Sequence, residues 1–84
     1  MKFIRVLKAA KVIEKETYDY KGHIISVCEL EHNSEYEHYN YFTAFIKENG
    51  IPLNIEGKTK EEVLKAAVKF FNHRKFDEMP KKIS

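Results

Sequence analysis

Asn49-Gly50-Ile51-Pro52-Leu53-Asn54-Ile55-Glu56-Gly57-Lys58-Thr59-Lys60-Glu61-Glu62-Val63-Leu64 is the stretch whose reading decides the fold. Asn-Gly between alternating apolar runs marks a two-residue hairpin loop, because a type I′ turn needs two residues that tolerate positive φ. With that loop, Glu48 faces Ile51, Ile46 faces Leu53 and Ala44 faces Ile55. Phe42, Ala44, Ile46, Ile51, Leu53 and Ile55 then share one face, so both strands agree on a single register. Pro52 has no amide to donate, so its strand lies at a sheet edge or turns that position away from a partner.

Gly57 breaks the strand and Thr59 opens a helix. Thr59 with Glu62 forms a capping box, and Glu61 and Glu62 sit at the positive end of the helix dipole. Val63, Leu64, Ala67, Phe70 and Phe71 repeat at helical spacing, with Lys65, Lys69 and Asn72 opposite. That stripe is expected to cover the Phe42/Ile46/Leu53 face.

Upstream, Val12–Tyr20 and His23–Glu31 read as two strands rich in β-favouring residues, joined at Lys21-Gly22. A two-residue loop there sets Thr17 opposite Ser26 and Ile13 opposite Leu30. His32–His38 is polar and forms the next connection. Phe3, Leu7, Ala10 and Ile13 lie at helical spacing, which favours a short N-terminal helix over a strand. From Lys75 onward, Pro80 and Lys81-Lys82 suggest an end that frays, with Phe76 and Met79 the residues able to pack back. The expected class is α+β: an antiparallel three- to four-stranded meander in the order α-β-β-β-β-α, with the C-terminal helix on one face. One domain is expected over residues 1–75, with a basic tail over 76–84.

Composition limits the function classes. The chain has 84 residues and a net charge of +2, and no apolar run approaches membrane-spanning length. Its first residues lack a signal-peptide core, and one cysteine cannot form an internal disulfide, so a cytoplasmic setting is expected. Lysine outnumbers arginine 13 to 2, and Ile, Asn, Glu and Tyr are plentiful, a bias that points to a low-GC bacterium or its phages. Residues 1–12 carry a net +4, residues 13–56 a net −6 and residues 57–84 a net +4. A basic head and a basic helix therefore bracket an acidic sheet.

No catalytic signature is present: the serines lack a nucleophile context, and the three glycines have turn or strand-end roles. Cys28 lies mid-strand among apolar residues, where a thiol is ordinarily buried and inert. His32 and His38, with the carboxylates between them, are ligand types for zinc, but six-residue spacing in a loop does not preorganise a site. No enzyme activity, metal or cofactor is expected. In Tyr39–Lys47 the odd positions Tyr39, Tyr41, Thr43 and Phe45 point away from the helix-covered face. Tyrosine joins a large rigid area to a polar tip and suits recognition. The expected partner surface is Tyr36, Tyr39, Tyr41 and Phe45 with Glu31, Glu35 and Glu37, the carboxylates steering a protein with a basic surface. A covering N-terminal segment or self-association are the other uses of that face. A phage or mobile-element protein that inhibits a host factor fits this size.

The alternative is nucleic acid, with Lys58, Lys60, Lys65 and Lys69 at the helix start serving phosphates. Gly57-Lys58-Thr59-Lys60-Glu61-Glu62-Val63-Leu64, with Ala67 beyond, resembles the helix start of HicB-type antitoxins, which follows a three-stranded sheet. His38 to Ala67, with Phe42-Thr43, Asn49-Gly50, Thr59-Lys60 and Ala66-Ala67, also resembles double-stranded-RNA-binding domains of α-β-β-β-α fold. That second resemblance implies a phosphate contact for Lys60, but Glu61 and Leu64 stand where that family has lysines. Both resemblances fall on one segment, so neither identifies the chain.

Overall fold

The computed structural model describes residues 10–48 and 50–84. Four strands run as an antiparallel meander: β1 Ala10–Tyr20, β2 His23–Asn33, β3 His38–Glu48 and β4 Ile51–Gly57. The helix α1, Lys60–Phe71, follows, and a short strand β5, Lys81–Lys82, closes the chain. Sheet order is β4-β3-β2-β1-β5, so the last strand lies along the outer edge of the first. The architecture is α+β, a five-stranded antiparallel sheet with a helix packed on it, where three or four strands were expected. The expected N-terminal helix falls mainly on residues 1–9, outside the described residues. Ala10 and Ile13, which its spacing included, belong to β1.

Both hairpins follow from their turns. Lys21 and Gly22 have φ of +47° and +88°, the positive pair that matches right-handed strand twist. Thr17 accordingly faces Ser26, but Val12 rather than Ile13 faces Leu30. A bulge between Val12 and Glu14 makes Ile13 an extra residue and shifts the register by one. In the second hairpin Glu48 faces Ile51, Ile46 faces Leu53 and Ala44 faces Ile55.

The core lies between one sheet face and α1. Tyr18, Tyr20, Ile25, Val27, Ala44 and Ile46 pack against Val63, Leu64, Ala67 and Val68, with Phe42, Ile55 and Phe71 at its margin. Val68 is buried where the sequence pattern placed Phe70, which is 43% exposed. Thr59 caps the helix, its Oγ1 accepting the Glu62 amide at 3.1 Å. From there α1 runs toward the β1–β2 turn, where Phe71 stacks on His23 with ring centroids 3.9 Å apart. Ile51 and Leu53 are left exposed on β4. Gly57 ends β4 as expected: it is the strand's last residue and pairs with Phe42. A Cβ there would stand 2.9 Å from Val63 Cγ1, so glycine is what lets the helix lie this close.

The tail expected to fray is held in place. His73 and Arg74 adopt φ of +53° and +70° and turn the chain back after the helix. Asp77 then accepts the Tyr20 hydroxyl at 2.8 Å, Pro80 is buried, and Ile83 donates its amide to the Thr17 carbonyl at 2.8 Å. The physical reason is Glu16, buried on the helix-covered face. Its Oε1 accepts from Lys60 Nζ at 2.6 Å and from the Tyr18 hydroxyl at 2.8 Å, and its Oε2 pairs with Lys82 Nζ at 2.9 Å. Chiefly through the Lys60 bond, then Lys82 and Tyr18, the Glu16 carboxyl is held down at about 2 instead of 4.5. Burial, and then the bond to Glu16, pushes the Tyr18 hydroxyl up to about 12.

Two outcomes are expected. A carboxyl depressed in the folded chain stabilises it above the unfolded value and loses that contribution as pH falls toward the folded one. Wild-type stability therefore falls between about pH 5 and pH 2, and Glu16→Gln lowers stability at neutral pH while flattening that fall. Urea midpoints measured stepwise across this range check it, and an unchanged slope counts against the network. Gly57→Ala destabilises by about 1–3 kcal/mol, because Val63 or the helix must shift to admit the methyl. Thermal denaturation reads that cost.

Candidate functional site

Strand alternation sets the sheet face opposite α1. On β3 it carries Tyr39, Tyr41, Thr43 and Phe45, and the facing residues of β2 are His32, Leu30, Cys28 and Ser26. Tyr39 is 50% and Phe45 46% exposed, and Tyr41 is half-buried. Between them Thr43 and Cys28 are buried. The aromatic row is thus divided into two ends by a closed centre.

At one end Tyr39 lies 4.8 Å from the His32 ring and 6.0 Å from Tyr41, centroid to centroid. These three rings line an open groove of about 700 Å3, whose opposite wall is Glu56, Gly57, Lys58 and Glu62. Burial, then the charge of Glu56, raises the Tyr41 hydroxyl above its ordinary value, so it stays protonated as a donor. The groove exists because β4 stops early. Its last pair is Phe42 with Gly57, whereas β3 continues back through Tyr41, Asn40, Tyr39 and His38, paired there with β2. Phe45 belongs to a different groove of about 390 Å3 at the other end, with Ile24, Ser26, Pro52 and Phe71 among its walls.

The carboxylates do not join the tyrosines on one surface. Glu31 faces Asn40 in the ladder and so lies on the opposite side from Tyr39 and Tyr41. There it meets His38 Nε2 at 3.1 Å, while Glu29 accepts from Asn40 Nδ2 at 3.2 Å. Glu35, Tyr36 and Glu37 occupy the β2–β3 turn, closed by the Ser34 amide on the Glu37 carbonyl at 2.8 Å. Tyr36 is 88% exposed at its tip. Of the expected partner residues, Tyr39 and Tyr41 are therefore brought together, the turn residues lie beyond them, and Phe45 and Glu31 lie elsewhere. His32 and Glu56, Glu62 across the groove were missed. The available signal was length: a strand ended by Gly57 is too short to cover a neighbour that reaches back to His38.

The lysines of the alternative reading also separate. Lys60 is engaged by Glu16, and Lys65 pairs with Glu61 at 3.3 Å and lies 5.5 Å from the Phe76 ring centroid. Lys58 stands at the groove and Lys69 on an exposed part of α1. His32 and His38 lie on opposite sheet faces, and among the described residues no group of three His, Cys, Asp or Glu could hold a metal. No helix among them is long and apolar enough to cross a membrane. No protein-family model, curated protein or solved structure matches this chain.

Thr43 yields a prediction for this face. Its Oγ1 is buried and makes no hydrogen bond among the described residues. Thr43→Val removes an unsatisfied polar atom at nearly constant volume and raises stability by about 1 kcal/mol. A chemical-denaturation midpoint measures it, and a loss of stability would show that the hydroxyl has a partner.

Proposed function

We propose that this chain is a non-enzymatic binding module that acts by occupying a protein partner, with the Tyr39/Tyr41 groove as the contact surface. The supporting observation is the groove itself: two neighbouring tyrosines, partly exposed and held on a strand, beside a corner where acidic residues gather. Glu56 and Glu62 wall it, Glu29 and Glu31 lie on the reverse of the same strand ends, and Glu35 and Glu37 are in the adjoining turn. Among the described residues, Lys58 at the groove and Lys11, which faces Glu31 across the β1–β2 ladder, are the cations at this end. Such a field favours a partner with a basic surface, while the rings supply burial once contact is made. The use of Lys60 inside the fold removes a central member of the phosphate-binding alternative. The lone, buried Cys28 suits a reducing cytoplasm. A phage or mobile-element protein that silences a host factor by occupancy fits a module of this size.

Tagged wild type and a Tyr39→Ala/Tyr41→Ala variant, applied to nuclease-treated lysate of a low-GC bacterium, test the reading. A protein held by wild type is expected to be retained at least about tenfold less by the variant, because contact energy concentrates in such aromatic anchors. Lys58→Ala/Lys69→Ala is expected to retain it. Circular dichroism melts confirm that each variant is folded. Equal capture by the tyrosine variant, or capture abolished by nuclease, overturns the proposal.

A further inference from the structure

The corner that forms the groove also opens a backbone edge. From His38 to Tyr41, β3 is laddered to β2 on one side, and on the other, where β4 has already ended, no strand among the described residues pairs with it. Unpaired strand edges template the addition of another strand, so folded sheets usually blunt them. Other edges are interrupted in part. β4 carries Pro52 on its outer edge, while β1 is covered by the tail at Thr17, Tyr18 and Asp19 and bulged at Ile13. His38-Tyr39-Asn40-Tyr41 has no proline, lysine or bulge, and His38, Tyr39 and Asn40 are exposed.

We propose that this β3 edge receives an extended segment of the partner as an added strand, with cationic and apolar side chains in alternation. The proposal rests on the binding-module reading above and gives its mode of contact. Side chains of an added strand alternate between the two sheet faces. On the face opposite α1 they lie beside Tyr39 and Tyr41, which favours apolar groups. On the reverse they lie beside His38 and Asn40, whose side chains are engaged by the Glu31 and Glu29 carboxylates of β2. Those carboxylates favour lysine or arginine at every second position. Four residues of edge accept a segment about 13 Å long at roughly 3.3 Å per residue, which sets a short, alternating motif as the recognised feature.

The test uses the full chain and two synthetic octapeptides: one alternates lysine and valine, and the other has the same residues in two blocks. Amide exchange is followed by NMR at millimolar peptide. The alternating peptide is expected to slow exchange in the His38–Tyr41 stretch at least about threefold, and the blocked peptide to leave it unchanged. Glu29→Lys/Glu31→Lys is expected to weaken the alternating peptide about tenfold, with melting behaviour confirming the fold. Protection at β1 or β4 instead, equal action of the two peptides, or a peptide-independent dimer in sedimentation overturns the proposal. If peptide protection is absent while partner capture still depends on Tyr39 and Tyr41, strand addition fails and the binding-module reading stands. If protection occurs but capture ignores the tyrosines, the edge is a strand acceptor and the earlier reading fails.

Discussion

Glu16 brings a negative charge onto the sheet face that the helix covers, and that charge has to be met where it lies. Burial of a lone carboxylate is costly, whereas one engaged by two ammonium groups and a hydroxyl is satisfied. Lys60 comes from the first turn of α1, Lys82 from the last strand, and Tyr18 from the next inward position of β1. One side chain therefore ties three segments that are distant in sequence. It draws the helix start across the sheet toward β1 and fixes the tail along the outer edge of that strand. Removing either lysine leaves Glu16 short of a partner, so the helix position and the docked tail are coupled through it.

That coupling shapes the corner beside Tyr39 and Tyr41. Because α1 begins beside Gly57 and lies close over it, the chain leaves β4 before β3 is fully covered. The same close approach that seats Val63 in the core opens the notch next to Tyr39 and Tyr41. Lys60, the cation best placed at the helix N-terminus for an external anion, is spent on an internal one. A phosphate approaching this end meets Lys58 among Glu56 and Glu62. A basic peptide meets the opposite balance, and that difference in field sets the two partner classes apart.

How much was legible follows from how local each cause is. The β3–β4 register was readable because Asn49-Gly50 and the alternation of Phe42 to Ile55 are contiguous signals. The outward direction of Tyr39, Tyr41 and Phe45 came from the same alternation. Ile13 gave no warning of its bulge, since Val12 and Ile13 are both β-branched and either could face Leu30. The docked tail was illegible for a stronger reason. It lacks an apolar period, it turns through His73 and Arg74 rather than a glycine, and its anchor Glu16 lies near the other end of the chain. Grouping Glu31 with the tyrosines required the β2–β3 register, which depends on how tightly Ser34–Glu37 turns.

The uneven charge of the sequence has a structural meaning in this light. The basic C-terminal segment is not simply a solvated tail, because Lys60 and Lys82 are drawn to Glu16, Lys65 pairs with Glu61, and its Asp77 holds Lys21 of the β1–β2 turn. Negative charge at the β2–β3 end, in Glu35, Glu37, Glu56 and Glu62, is left facing outward with no ion pair among the described residues. Among the described residues, unpaired carboxylates thus gather toward the end where the edge of β3 opens, with Lys11 and Lys58 as the cations there. In the strand addition proposed above, an added strand would complete a ladder and meet those carboxylates in the same act, so a cationic extended segment would gain from both where a neutral one gains from the ladder alone.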